Sequence, residues 1–207
     1  MRAVTTLAFA ALAALGATAS AAPREVSGFD SVRAQDAVRV DIVAGDQAGV
    51  DVSGPEADRV RTTLDGHTLV IAEINRPWFG RDRPVAATIR VTLPNVASIA
   101  GAKGATILAE GLRGGEVSLS ASMGGELRVS GACQALTASA SMGGVIRAEG
   151  FQCARATISA SMGGEVRAFA SQSYDASASM GGEIRVAGGG ARGRVGTSMG
   201  GEVSTQE

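Results

Sequence analysis

The chain has 207 residues, 29 of them glycine, with aromatic residues at only 3% and a formal net charge of −1. So few large side chains cannot fill a broad globular interior, but they suit a narrow one in which small side chains stack between closely spaced backbones. A near-neutral chain without a basic patch also argues against nucleic acid as a partner.

Residues 1–22 have the form of a secretory leader. Arg2 gives a positive start, Val4 to Leu15 is an uncharged apolar run, and small residues follow, with Ala-x-Ala cleavage placed after Ala21 or Ala22. The run is too short for a membrane span, which needs about 20 residues. No cysteine lies at the cleavage point and no second hydrophobic run follows. The mature chain is therefore expected to be exported, to the periplasm or the cell surface, with no transmembrane segment.

Residues 23–95 form a β-rich N-terminal part. Strands are expected at Val38 to Val43, Val50 to Val52, Thr68 to Ile71 and Thr88 to Leu93. Gly45-Asp46, Gly54-Pro55 and Asp65-Gly66 supply turns between them, and a short helix is expected from Glu56 to Arg61. This part is expected to cap one end of the repeats, because an open sheet edge invites aggregation. Arg76-Pro77-Trp78-Phe79-Gly80-Arg81 is the single aromatic cluster. Trp78 and Phe79 either anchor a long loop or form a contact loop for a sugar or a protein.

From residue 96 to 207 the pattern becomes periodic. Ser-Met-Gly-Gly begins at Ser122, Ser141, Ser161, Ser179 and Ser198, and a degraded copy, Ala102-Lys103-Gly104-Ala105, precedes them. A period of about 19 residues means stacked units of one design. Four residues before each Met stand Leu119, Ala138, Ile158, Ala176 and Val195, and two before stand Ala121, Ala140, Ala160, Ala178 and Thr197. Four after stand Leu127, Ile146, Val166, Ile184 and Val203, and six after stand Val129, Ala148, Ala168 and Val186. Alternation on both sides of a Gly-Gly corner gives short strands. Each turn of chain then pairs with the next at about 4.8 Å. The predicted fold is all-β, a single-stranded parallel β-helix, right-handed by preference, with coils of about 19 residues.

The same alternation places Met123, Met142, Met162, Met180 and Met199 inward as a core ladder. Copper capture by the thioethers is a minor alternative, since one Met per coil does not converge on a point. Cys133 and Cys153 each lie nine residues before a Met. They fall at one site in adjacent coils, either as a disulfide, where the compartment is oxidising, or as stacked thiols.

Outward, Glu126, Glu165, Glu183 and Glu202 share one column, broken by Val145, and Arg128, Arg147, Arg167 and Arg185 share another. These columns either compensate each other in solvent or form a ridged face for a polyanion or polysaccharide, where many weak contacts sum. Ser120/Ser122, Ser139/Ser141, Ser159/Ser161 and Ser177/Ser179, ending in Ser198, make a flat hydroxyl strip. It echoes ice-binding strips without their methyl groups, and more often such a strip packs against another sheet or subunit. The last coil shows no obvious cap, which points to self-association or a partner.

The order of the pieces resembles a known family. Phe29-Asp30-Ser31-Val32 is followed by Gly45-Asp46, Val52-Ser53-Gly54-Pro55-Glu56, Leu69-Val70-Ile71, Val91-Thr92-Leu93-Pro94 and then glycine- and serine-rich repeats. The whole is similar to the putative auto-transporter adhesin, head GIN domain family of exported bacterial proteins, over nearly all of residues 29–203. The resemblance implies a β-helical fold and an adhesion label, with no defined ligand or site residues. The family's repeats often read Ser-Gly-Ala-Ser-Asp, whereas this chain has Ser-Ala-Ser-Met-Gly-Gly.

Nothing catalytic assembles. His67 is the single histidine, in a turn, and no Ser/His/Asp set, metal-ligand spacing or phosphate loop is present. Gly188 to Gly190 reads as a turn, and the glutamates are spread along a column. No catalytic, cofactor or metal residues are assigned. The favoured expectation is a non-enzymatic envelope scaffold that binds polysaccharide, polyanion or protein. A self-associating structural subunit comes second and a carbohydrate-active enzyme third.

Overall fold

The computed structural model of the protein describes residues 22–24, 28–74 and 85–206. Its strands are β1 (Ala22–Arg24), β2 (Ser31–Gln35), β3 (Arg39–Ala44), β4 (Gly49–Ser53), β5 (Val60–Asp65), β6 (Thr68–Glu73), β7 (Thr88–Leu93) and β8 (Ser98–Ala102). There follow the long bent strands β9 (Thr106–Ser122), β10 (Glu126–Ser141), β11 (Val145–Ser161) and β12 (Glu165–Ser179), then β13 (Glu183–Ala187), β14 (Ala191–Ser198) and β15 (Glu202–Thr205).

From β8 onward all pairing is parallel and in register, coil on coil. Leu127 pairs with Ile107 and Ile146, and Ala140 with Ala121 and Ala160. The chain is a parallel β-solenoid. Each long strand bends where its register slips, for example between Arg128 and Gly131, so one continuous strand supplies two walls of a coil.

Through β13 the four inward columns are where alternation puts them, the fourth being Val129, Ala148, Ala168 and Val186, whereas Thr197 in the last coil is exposed. Leu119, Ala138, Ile158 and Ala176 are buried, as are Ala121, Ala140, Ala160 and Ala178. Leu127, Ile146, Val166 and Ile184 line the facing wall. In the last coil Val195 and Val203 are only partly covered.

The N-terminal part joins the same stack out of sequence order. β2 pairs in parallel with β8 on one side and β6 on the other. β3 pairs likewise with β9 and β7. β6 and β7 thus belong to the outermost coil, and β2 and β3 lie between it and the repeats. On that outer coil β5 runs antiparallel to β6, β4 antiparallel to β7, and β1 antiparallel to β4. These strands cover the edge that would otherwise be free. The helix expected from Glu56 to Arg61 is a single 3-10 turn, Ala57–Arg59. It falls between the end of β4 at Ser53 and the start of β5 at Val60, a connection short enough to leave room for one turn only.

The inward placing of the methionines is overturned. Met123, Met142, Met162 and Met180 are 46–48% exposed and Met199 is 78% exposed. Each Met and the Gly after it have positive φ, 45–49° and 72–76°, and the second Gly donates to the carbonyl of the preceding Ser at 2.9–3.0 Å. This is a type I′ turn, with two left-handed central residues. Alternation holds only for extended backbone, and the left-handed pair swings the Met side chain outward. The two glycines have different tasks. The first, such as Gly163, supplies the positive φ with open space around it. The second approaches the coil beneath: a Cβ on Gly164 would lie 2.5 Å from the Ala140 carbonyl oxygen.

Candidate functional site: a surface of repeated columns

Because coils stack in register, each outward position becomes a column. The acidic column runs Glu126, Val145, Glu165, Glu183, Glu202, and the basic column Arg128, Arg147, Arg167, Arg185, Ser204. Arg128 pairs with Glu126 at 3.1 Å and Arg167 with Glu165 at 2.7 Å. Arg185 pairs with Glu183. Arg147 has Val145 on its own rung and reaches to Glu126 in the neighbouring coil instead. Glu149 adds a further carboxylate 3.9 Å from Arg167. The face is therefore a lattice of alternating charge, partly solvated, and each exposed pair contributes about 0–1 kcal/mol to stability.

Beyond the corner lies the hydroxyl face. Ser120, Ser139, Ser159 and Ser177 are exposed, whereas Ser122, Ser141, Ser161 and Ser179 are half-buried beside the turn. The structure adds a column that spacing from the Met had not brought out: Ser118, Thr137, Thr157 and Asp175 align one pleat further out. Asp175 accepts from the Arg194 backbone N–H at 2.6 Å and lies 3.8 Å from its guanidinium, tying the last coil to the one before. Aligning the repeats five residues before each Met would have found it.

Cys133 and Cys153 are register partners and form a disulfide, with S–S 2.02 Å and Cα–Cα 4.5 Å. There is no free cysteine among the described residues. The His67 ring nitrogen Nδ1 lies 3.0 Å from the Gly28 carbonyl oxygen, and its own carbonyl accepts from the Asp30 and Ser31 N–H groups. It thus fastens a turn. In the cap, Arg59 bridges Glu56 and Glu73, and the carboxylates, Glu56 foremost, raise its pKa further above the usual arginine value. Trp78 and Phe79, and the leader apart from Ala22, lie outside the described residues. Among the described residues no three His, Cys, Asp or Glu side chains gather to hold a metal ion. No helix among them is long and apolar enough to cross a membrane.

A solenoid of in-register coils, closed at one end by antiparallel strands and carrying columns of largely like side chains, is a scaffold that displays one chemistry many times. The chain belongs to the family described as putative auto-transporter adhesin, head GIN domain, whose model matches residues 28–190. Its fold is similar to that of a putative adhesin from Bacteroides fragilis NCTC 9343, at 13% identity and TM-score 0.69, covering 92% of this chain and 98% of that one. It is also similar to a putative lipid binding protein from Parabacteroides distasonis ATCC 8503, at 15% identity and TM-score 0.50, covering 93% and 98%. Among curated proteins no sequence match is found.

Proposed function

We propose that the chain is a non-enzymatic scaffold of the cell envelope that binds a polysaccharide along its charge-laced face. One observation carries this reading: Arg128, Arg147, Arg167 and Arg185 stand in a single file one coil apart, each beside a carboxylate. Compensated charges of this kind repel neither sign of ligand. They present donors and acceptors together, at about the 4.8 Å strand spacing, to a polymer rich in hydroxyl groups. Single contacts are weak, and their repetition along a rigid axis supplies avidity. The family's adhesion label and an exported location agree with this, as does a cysteine pair joined in a disulfide. Glu126, Glu165 and Glu183 are held in ion pairs along the column, an arrangement unlike the two convergent carboxyl groups that sugar hydrolysis requires.

A glycan array probed with the mature chain tests the proposal. Replacing Arg128, Arg147, Arg167 and Arg185 with Ser together is expected to abolish binding while the fold survives, since these are surface pairs. Unchanged glycan binding by that variant would rule this face out.

A second reading, a subunit that associates with its own kind, is favoured by the last coil. β14 pairs only with β12, and β15 only with β13, among the described strands, and β14 is exposed along nearly its whole length. Sizing chromatography separates the two: a concentration-dependent oligomer with no glycan binding supports the second.

A further inference from the structure

The methionine column is explained neither by folding nor by glycan binding. Among the described residues seven non-glycine residues have positive φ: Asp36, Lys103, Met123, Met142, Met162, Met180 and Met199. All seven sit at the same corner of successive coils. The left-handed conformation costs a residue with a Cβ about 1–2 kcal/mol, and Asn, Asp or Gly relieve that cost. The coil nearest the cap has Asp there. The five corners farthest from the cap have Met, a residue the backbone does not favour and the core does not use.

Copying of the repeat does not account for it either. The inward position four residues earlier drifts through Leu119, Ala138, Ile158, Ala176 and Val195, and the acidic column admits Val145. Met at the strained, exposed corner does not drift at all. Apart from Leu64, the exposed large hydrophobic side chains of the described residues are these five. Strain kept at a surface position, with one side chain retained, points to work done by that side chain.

We propose that the corner column is a soft-metal site, taking a monovalent thiophilic cation of the Cu(I) type between thioethers of two or three successive coils. The corners are fixed to one another: the first Gly of each turn donates to the Met carbonyl of the next coil at 3.1–3.3 Å, from Gly104–Met123 to Gly181–Met199. Neighbouring thioethers are thus rooted about 4.8 Å apart. A flexible three-bond side chain readily spans half that gap, so adjacent sulfurs can turn toward a shared ion. The residues on either side of each Met are Ser and Gly. With no carboxylate or imidazole among the turn residues of the five Met corners, the site suits soft cations over hard ones.

The test uses the mature chain labelled at its Met methyl groups, titrated with Ag(I) as a redox-inert probe in chloride-free buffer and followed by NMR and calorimetry. With no free thiol among the described residues to compete, the expected result is saturable binding that moves the methyl signals of adjacent methionines together. Replacing Met142, Met162 and Met180 with Leu keeps the apolar ridge and should weaken binding by at least about tenfold. Replacing the same three with Gly should do so too, while raising the melting temperature through relief of the left-handed strain. Full affinity in either folded variant, shifts confined to the most exposed residue, Met199, or no binding at all would each overturn the proposal.

Discussion

The cap and the repeats solve the same packing problem with different materials. Around the outer coils the core is made of large aliphatic side chains, Ile42, Leu69, Ile71, Ile89 and Leu93, all fully buried. In the repeats one inward column is alanine in four successive coils, Ala121, Ala140, Ala160 and Ala178. In that column the repeats do without bulk, because the rungs of all but the last coil find a ladder partner on both sides and small side chains stack closely. Leu119, Leu127, Leu136 and Phe151 supply the bulk elsewhere in the coils. The cap has antiparallel strands and a 3-10 turn, and it depends on particular contacts rather than on a register that repeats.

That difference can be probed by mutation. The largest effect is expected in the repeats from Gly164→Ala, which sets a Cβ 2.5 Å from the Ala140 carbonyl oxygen. Forcing two coils apart should cost about 3 kcal/mol, visible as a lower denaturation midpoint. Next comes the cap. Arg59→Ala strips the partner from Glu73, whose side chain is only 5% exposed, and should lower the denaturation midpoint by less than Gly164→Ala does. Hydrogen exchange should then rise in β5 and β6 while β10 to β12 stay protected, because stacked repeats answer mainly to their neighbours. The smallest effect belongs to Gly163→Ala, one position before Gly164. Its φ is +72° with open space around it, so only the backbone penalty applies, about 1 kcal/mol. Equal losses at Gly163 and Gly164 would refute the division of labour between the two glycines.

The repeats were legible in sequence because period-2 alternation recurs at a fixed interval. Leu127, Ile146, Val166 and Ile184 could be placed on one wall from spacing alone. The Met column was not legible. The type I′ turn asks for residues tolerant of positive φ, usually Asn or Gly, and Met gave no sign that alternation would break there. The charge columns were visible, but the reach of Arg147 across to Glu126 depends on Val145 leaving its rung without an acid. The cap has no sequence repeat. β2 overlaps the motif Phe29-Asp30-Ser31-Val32, and nothing local to Ser31 indicates that it pairs with both Thr68 and Ser98.

That out-of-order coil bears on how the protein acquires its structure. Both neighbours of residues 31–44 are made later than the segment itself, so it must wait, unpaired, until chain far downstream has arrived. The repeats need no such delay, since each strand docks on one that left the ribosome a single coil earlier. Contacts between near positions form fastest. Assembly should therefore start in the C-terminal half and travel backward, with the first-made segment settling among the last.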